Sequence, residues 1–108
     1  MASTLSRGNI LGQIVYRQSL TPVAVAANTS AEQTFTVKGV IPGDFVQVNR
    51  EAALTAGLGI VNARVIQADQ VGITFANGTA ASITPAAGNF IFLIARPENS
   101  TPQPNVVF

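Results

Sequence analysis

The 108-residue chain has no histidine, no cysteine and no tryptophan, and only 10% of its residues are charged. Without cysteine there is neither a disulfide framework nor a thiolate metal site. Without histidine, acid–base chemistry would need two carboxyl groups raised in pKa together, and the five acidic residues are scattered through the chain with no candidate pair. The net charge of +1 comes from six basic residues that do not cluster, so the electrostatic footprint of a nucleic-acid binder is missing. The longest apolar run, Phe90 to Ala95, falls well short of the roughly 20 residues a membrane helix needs. The first nine residues show no apolar core followed by a small-residue cleavage site, so no signal peptide is expected. These absences point away from an enzyme and predict no cofactor, no metal, no nucleic acid, no membrane and no small-molecule substrate.

What is present is a 47% apolar composition, rich in Ala, Val and Ile and poor in aromatics. That mixture suits thin layers of β-branched side chains. Soluble surfaces usually carry about a quarter to a third charged residues, and this chain cannot reach that. Part of its surface is therefore expected to be covered by partners.

The patterning is β throughout. Ile14-Val15-Tyr16 starts a first strand. Leu20 to Ala26 alternates but contains Pro22, which removes a ladder donor and predicts an edge strand. Phe35 and Val37 alternate with Thr34, Thr36 and Lys38, and Ile41-Pro42-Gly43-Asp44 reads as a turn. Val46 and Val48 follow. Arg50 to Ala56 fits a short helix or a loop. Val61, Ala63 and Val65 run toward a turn at Gln67 to Gln70, and Val71, Ile73 and Phe75 return. Asn77-Gly78 is a strong turn signal. Phe90 to Ala95 is apolar on both faces, as in a central strand. The expected core includes Phe35, Val37, Val46, Val48, Val61, Val65, Ile73, Phe75, Phe92 and Ile94.

Short strands separated by turns predict an all-β fold, an antiparallel β-sandwich of jelly-roll-like type with extended N- and C-terminal arms. The domain limits follow: an N-terminal arm over 1–9, the sandwich over 10–96 and a C-terminal arm over 97–108. That last arm joins Pro97, Pro102 and Pro104 to the apolar Val106-Val107-Phe108, a composition suited to a stiff spacer with a docking end.

Gly57-Leu58-Gly59 lacks the further glycine, lysine and helix of a phosphate loop and reads as a tight turn. Asp44 and Asp69 read as turn residues, because no cluster supplies the oxygens that calcium takes. Glu32 and Glu51 are expected to be solvated. Arg64 is either solvated or locally paired, or else it lies in an interface. The candidate partner-binding residues are Arg7, Tyr16, Arg17, Arg64, Val106, Val107 and Phe108.

One ordered set of phrases extends further. It comprises Phe35-Thr36-Val37-Lys38-Gly39, Pro42-Gly43-Asp44-Phe45-Val46-Gln47-Val48-Asn49 and Gly57 to Val65, then Val71-Gly72-Ile73-Thr74-Phe75-Ala76-Asn77, Ile83-Thr84-Pro85 and Gly88-Asn89-Phe90. The set covers about half of the chain. Each phrase alone is ordinary, and their order gives the match its weight. It resembles a β-module of tailed-bacteriophage virion proteins, found in head decoration (cement) proteins and in head or tail fibre segments. The resemblance implies a sandwich that packs on itself, as a dimer or trimer, and on the virion, with no catalytic residues. The short chain favours a decoration protein that bridges major capsid protein subunits on the outer capsid surface after synthesis in the host cytoplasm. The alternative is a fibre or adhesin segment that trimerises and contacts a host receptor.

Overall fold

The period-two alternation produces six strands among residues 10–98, the part of the chain that the computed structural model describes. In order they are β1 (Ile10–Leu20), β2 (Thr29–Thr36), β3 (Phe45–Arg50), β4 (Leu58–Gln67), β5 (Gln70–Asn77) and β6 (Gly88–Pro97). They pair antiparallel in two three-stranded sheets, ordered β1-β6-β3 and β2-β5-β4. The two sheets pack together as an all-β sandwich; each is named below after its central strand. The most apolar strand, β6, takes the centre of its sheet, flanked by β1 and β3. β1 pairs with β6 and β2 with β5, while β3 packs against β4 without sharing a ladder. The chain is thus laid down as one long hairpin folded over two layers. Six strands are fewer than a full jelly roll holds. The arms expected at 1–9 and 97–108 lie outside the described residues, apart from Pro97 and Glu98.

The interior is built from alternate residues of the two central strands. Val71, Ile73 and Phe75 of β5 face Phe90, Phe92 and Ile94 of β6, joined by Val46 and Val48 of β3 and by Leu20, Val25, Val37 and Val40. Phe75 meets Phe90 edge-on at 6.4 Å between ring centroids. Each of these fully buried aromatics contributes roughly 1.5–3 kcal/mol of apolar burial.

Several expectations are corrected. Val61 is not in the core. A bulge between Ile60 and Asn62 adds a residue to β4, so Ile60 and Ala63 stay opposite Phe75 and Ile73 while Val61 is left 61% exposed. Phe35 and Val65 are only half-buried, packed against the core from edge strands. Leu20 to Ala26 is not a strand beyond Leu20. Pro22 gives no ladder donor, and the side-chain amide of Gln33 makes the bonds instead, accepting from the Val23 N–H at 2.9 Å and donating to its carbonyl at 2.8 Å. Only Val25 pairs through its backbone, with Ile83.

Asn77-Gly78 turns the chain out of β5, as expected, without pairing β5 to the strand that follows. The tight β4–β5 turn lies at Gln67 to Gln70, with Asp69 at φ 64°. Asn77 is also a buried pin. Its amide donates to the carbonyls of Val25 and Ala81, and its oxygen accepts from the backbone and hydroxyl of Thr79. Arg50 to Ala56 contains no helix. Pro97 closes β6 opposite Ile10 rather than opening an arm.

Candidate association surface

Register decides which side chains share a face, because directly opposed residues of an antiparallel pair point the same way. On the β5 sheet the outward positions are Ser30, Glu32 and Thr34 of β2, Gly72, Thr74 and Ala76 of β5, and Asn62 and Arg64 of β4. This face is mostly polar and internally paired, with half-buried Ile66 of β4 beside Gly72. Arg64 Nε and Nη2 donate to the two Glu32 oxygens at 2.7 and 2.9 Å, reaching from β4 to β2 across the central strand. Gly72 makes the span possible: a Cβ there would stand 2.5 Å from Glu32 Oε2. The bonds from Arg64 hold the Glu32 carboxyl below its ordinary pKa.

The β6 sheet differs. Its outward positions are Gln13, Val15 and Arg17 of β1, Ile91, Leu93 and Ala95 of β6, and Phe45, Gln47 and Asn49 of β3. Val15 is 65% and Phe45 58% exposed; half-buried Leu93 lies opposite Val15, and Ala95 lies opposite Phe45. Arg17, also on this face, is ion-paired with Glu51.

The inner side of β1 adds to the apolar surface. β2 ends at Thr36, so the first half of β1 runs on without a strand over it. A groove of about 530 Å³ opens there, lined chiefly by Leu11, Ile14, Tyr16, Val40 and Ile94, with Arg96 at one end. Ile14 points inward by register yet is 56% exposed. Tyr16 stacks on Phe92 at 5.4 Å, and its hydroxyl donates to Gln18 Oε1 at 3.3 Å. Burial raises the Tyr16 pKa and keeps the phenol neutral.

A charged clamp fixes one end of this region. Arg96 Nε and Nη2 donate to both Asp44 oxygens at 2.9 and 2.8 Å, and Nη2 also donates to the Gly39 carbonyl at 2.7 Å. The Asp44 side chain is only 1% exposed, and Arg96 holds its pKa below the ordinary value. Asp44 also caps its own turn by accepting from the Ile41 N–H, and Asp69 accepts from the Gly39 N–H. Both aspartates therefore fill turn roles, and Asp44 carries an ion pair besides.

The residues singled out from the sequence are not gathered in one place. Tyr16 lines the groove, Arg17 sits on the opposite face of the same strand, and Arg64 lies on the other sheet. Glu32 and Glu51, expected to be solvated, each pair with an arginine. Arg7, Val106, Val107 and Phe108 lie outside the described residues. Sequence reasoning missed Arg96, which meets Asp44 only after the chain has crossed both sheets. It also missed Leu11 and Ile14 as surface residues, since an apolar residue at the start of a strand reads as core. Among the described residues, no group of three or more acidic side chains is placed to hold a metal ion. Gly57 stands in the close turn expected of it, at φ 89° with its carbonyl accepting from the Gly78 N–H at 3.0 Å. Compared with protein families, with curated proteins and with solved structures, the chain matches none.

Proposed function

We propose that this chain is a structural virion protein that decorates a tailed-phage capsid and bridges neighbouring major capsid protein subunits. The observation that carries the reading is the contrast between a self-satisfied polar face and an apolar, unpartnered one around β1. Proteins that act by contact need a surface of that kind, and large exposed apolar areas mark interaction sites. The ordered phrases from Phe35 to Phe90, which resemble the phage β-module, supply the kind of partner.

The mechanism is mass action. A sandwich that binds only the assembled lattice stabilises that lattice by its binding free energy. Many copies make small energies at each site large in sum. Residues 1–9 and 99–108 would extend the contact across adjacent coat subunits, the second with Val106, Val107 and Phe108 as its apolar end. Joined contacts on one oligomer gain from effective concentration.

The test is addition of purified protein to emptied or mature phage heads. Saturable binding at stoichiometric ratio, with heads more resistant to heat, is the expected result. Failure to bind any head, with the protein recovered in fibres instead, would replace this reading with the fibre segment.

A further inference from the structure

We infer that the free edge of β1 is the self-association site: two copies pair β1 to β1 antiparallel across a two-fold axis, joining their β6 sheets into one. This names the contact behind the self-packing proposed above. It rests on that reading only for the claim that copies associate, and its test uses no phage heads.

Four edge strands bound the two sheets, and three are guarded. β2 is guarded by the Pro22–Val25 crossover, which its Gln33 ties down at Val23. β3 is only six residues long and ends in Arg50, whose guanidinium donates to the Ala86 carbonyl at 2.6 Å. β4 has two bulges. Short length, charge, bulges and covering segments are the usual means of keeping an edge from pairing with another chain.

β1 has little of this. It runs for eleven residues, contains no proline and carries one charge, Arg17, already paired with Glu51. Its irregularity lies at the start, between Ile10 and Gly12. Among the described residues, β6 is its sole ladder partner and its second edge pairs with nothing. Ile10, Leu11, Ile14 and Val15 are each more than half exposed along it. An open row of backbone donors and acceptors beside an apolar groove is the arrangement that accepts an added strand: the main chain supplies the bonds and alternate side chains enter the groove.

The occupant must be extended, apolar and able to donate from successive N–H groups. Residues 97–108 contain Pro97, Pro102 and Pro104 and fit poorly. A second β1 fits. Related by a two-fold axis perpendicular to the sheet, the strands run antiparallel and inward residues meet inward residues. The one charge on each copy is neutralised within that copy, so no unpaired like charges are brought together. Such a contact is isologous and closes at two copies, which selects the dimer over the trimer.

The cysteine-free chain makes the test clean. Sedimentation of the full chain at micromolar concentration should show a dimer. The paired variant Leu11→Lys with Val15→Lys, at exposed positions, should weaken it about tenfold or more while leaving the β-type circular dichroism unchanged. Val61→Lys, exposed on the β4 side, should leave the dimer intact. Under mild oxidation a cysteine placed singly at Gln13, Ile14, Val15, Tyr16 or Arg17 should give a covalent dimer at the one position that lies on the two-fold axis, and Thr34→Cys on the other sheet should give none. A monomeric full chain overturns the inference. So does a dimer that survives the double lysine variant and cross-links through none of these β1 positions.

Discussion

The two sheets are built to the same plan and finished differently. Each has a central strand whose alternate residues fill the interior, Val71, Ile73 and Phe75 in one and Phe90, Phe92 and Ile94 in the other. Their outer faces part company. On the β5 sheet the outward positions are mostly small or polar, Ile66 beside Gly72 being apolar, and an arginine on one edge strand reaches a glutamate on the other over a glycine. On the β6 sheet they include Val15, Ile91, Leu93 and Phe45. Folding requires only the shared interior. The difference outside serves something other than folding, because exposed apolar side chains stabilise nothing until a partner covers them.

The shared interior gives the largest effect and should not distinguish the sheets. Phe75→Ala and Phe92→Ala each remove a fully buried ring and should cost about 3–5 kcal/mol. Denaturant unfolding checks both. Similar losses would support one cooperative core, whereas a much smaller loss for Phe92 would make the β6 sheet an appendage.

Next in size is the clamp on the β6 side. Asp44→Asn removes a charge from a carboxylate that accepts from Arg96 and from the Ile41 N–H, and the melting temperature should fall by a few degrees. The same pair makes stability depend on pH. Arg96 depresses the folded-state pKa of Asp44 below 3.8, so the unfolded chain takes up the proton first as acid is added. The pair's contribution is complete above the ordinary aspartate range, about pH 4, and is lost as pH falls through the folded pKa. The variant should therefore show a flatter stability profile below about pH 4 than the parent. An unchanged profile would place the acid sensitivity elsewhere.

How much of this was legible follows from the range of each signal. Period-two alternation is local, and it placed β3, β5 and most of the core, while the unbroken apolar run Phe90 to Ala95 marked β6. It failed at Val61, where a bulge reverses the alternation and nothing in Ile60-Val61-Asn62 announces it. It failed at Pro22 to Ala26, where the partner is a glutamine side chain and not a strand. Asn-Gly signalled a turn by dipeptide chemistry, and the chain does turn there, but nothing local shows that Asn77 spends its amide on carbonyls across the fold. The ion pairs were invisible because each joins residues 32 to 52 positions apart, or from one strand end to a distant loop. Exposure was the least legible property of all. Leu11 and Ile14 look like core residues, and only the early end of β2 leaves them uncovered.

A smaller effect probes the polar face from within. Gly72→Ala places a Cβ 2.5 Å from Glu32 Oε2 and 2.8 Å from Ile66 Cδ1. Both are ends of flexible side chains, so they should shift rather than break the sheet, at roughly 1 kcal/mol. Thermal unfolding measures it. A loss as large as that of Phe75→Ala would mean that the outer layer of the β5 sheet is packed as tightly as the core.

The smallest expected effect is the sharpest test of the contrast between the faces. Arg64→Gln opens the pair with Glu32, but both side chains lie at the surface, where water replaces most of what is lost. The melting temperature should hardly move, and adding salt to the parent protein should reproduce what little change there is. Arg64 was also a candidate for contact with a partner, since arginine is frequent in binding surfaces. Its two bonds to Glu32 give the guanidinium an occupation inside the chain. Addition of the variant to phage heads should therefore match the parent in stoichiometry, while Phe45→Ser on the β6 sheet should bind less. If Arg64→Gln were the variant that lost binding, the polar face would be the contact face, and the apolar surface around β1 would serve self-association alone.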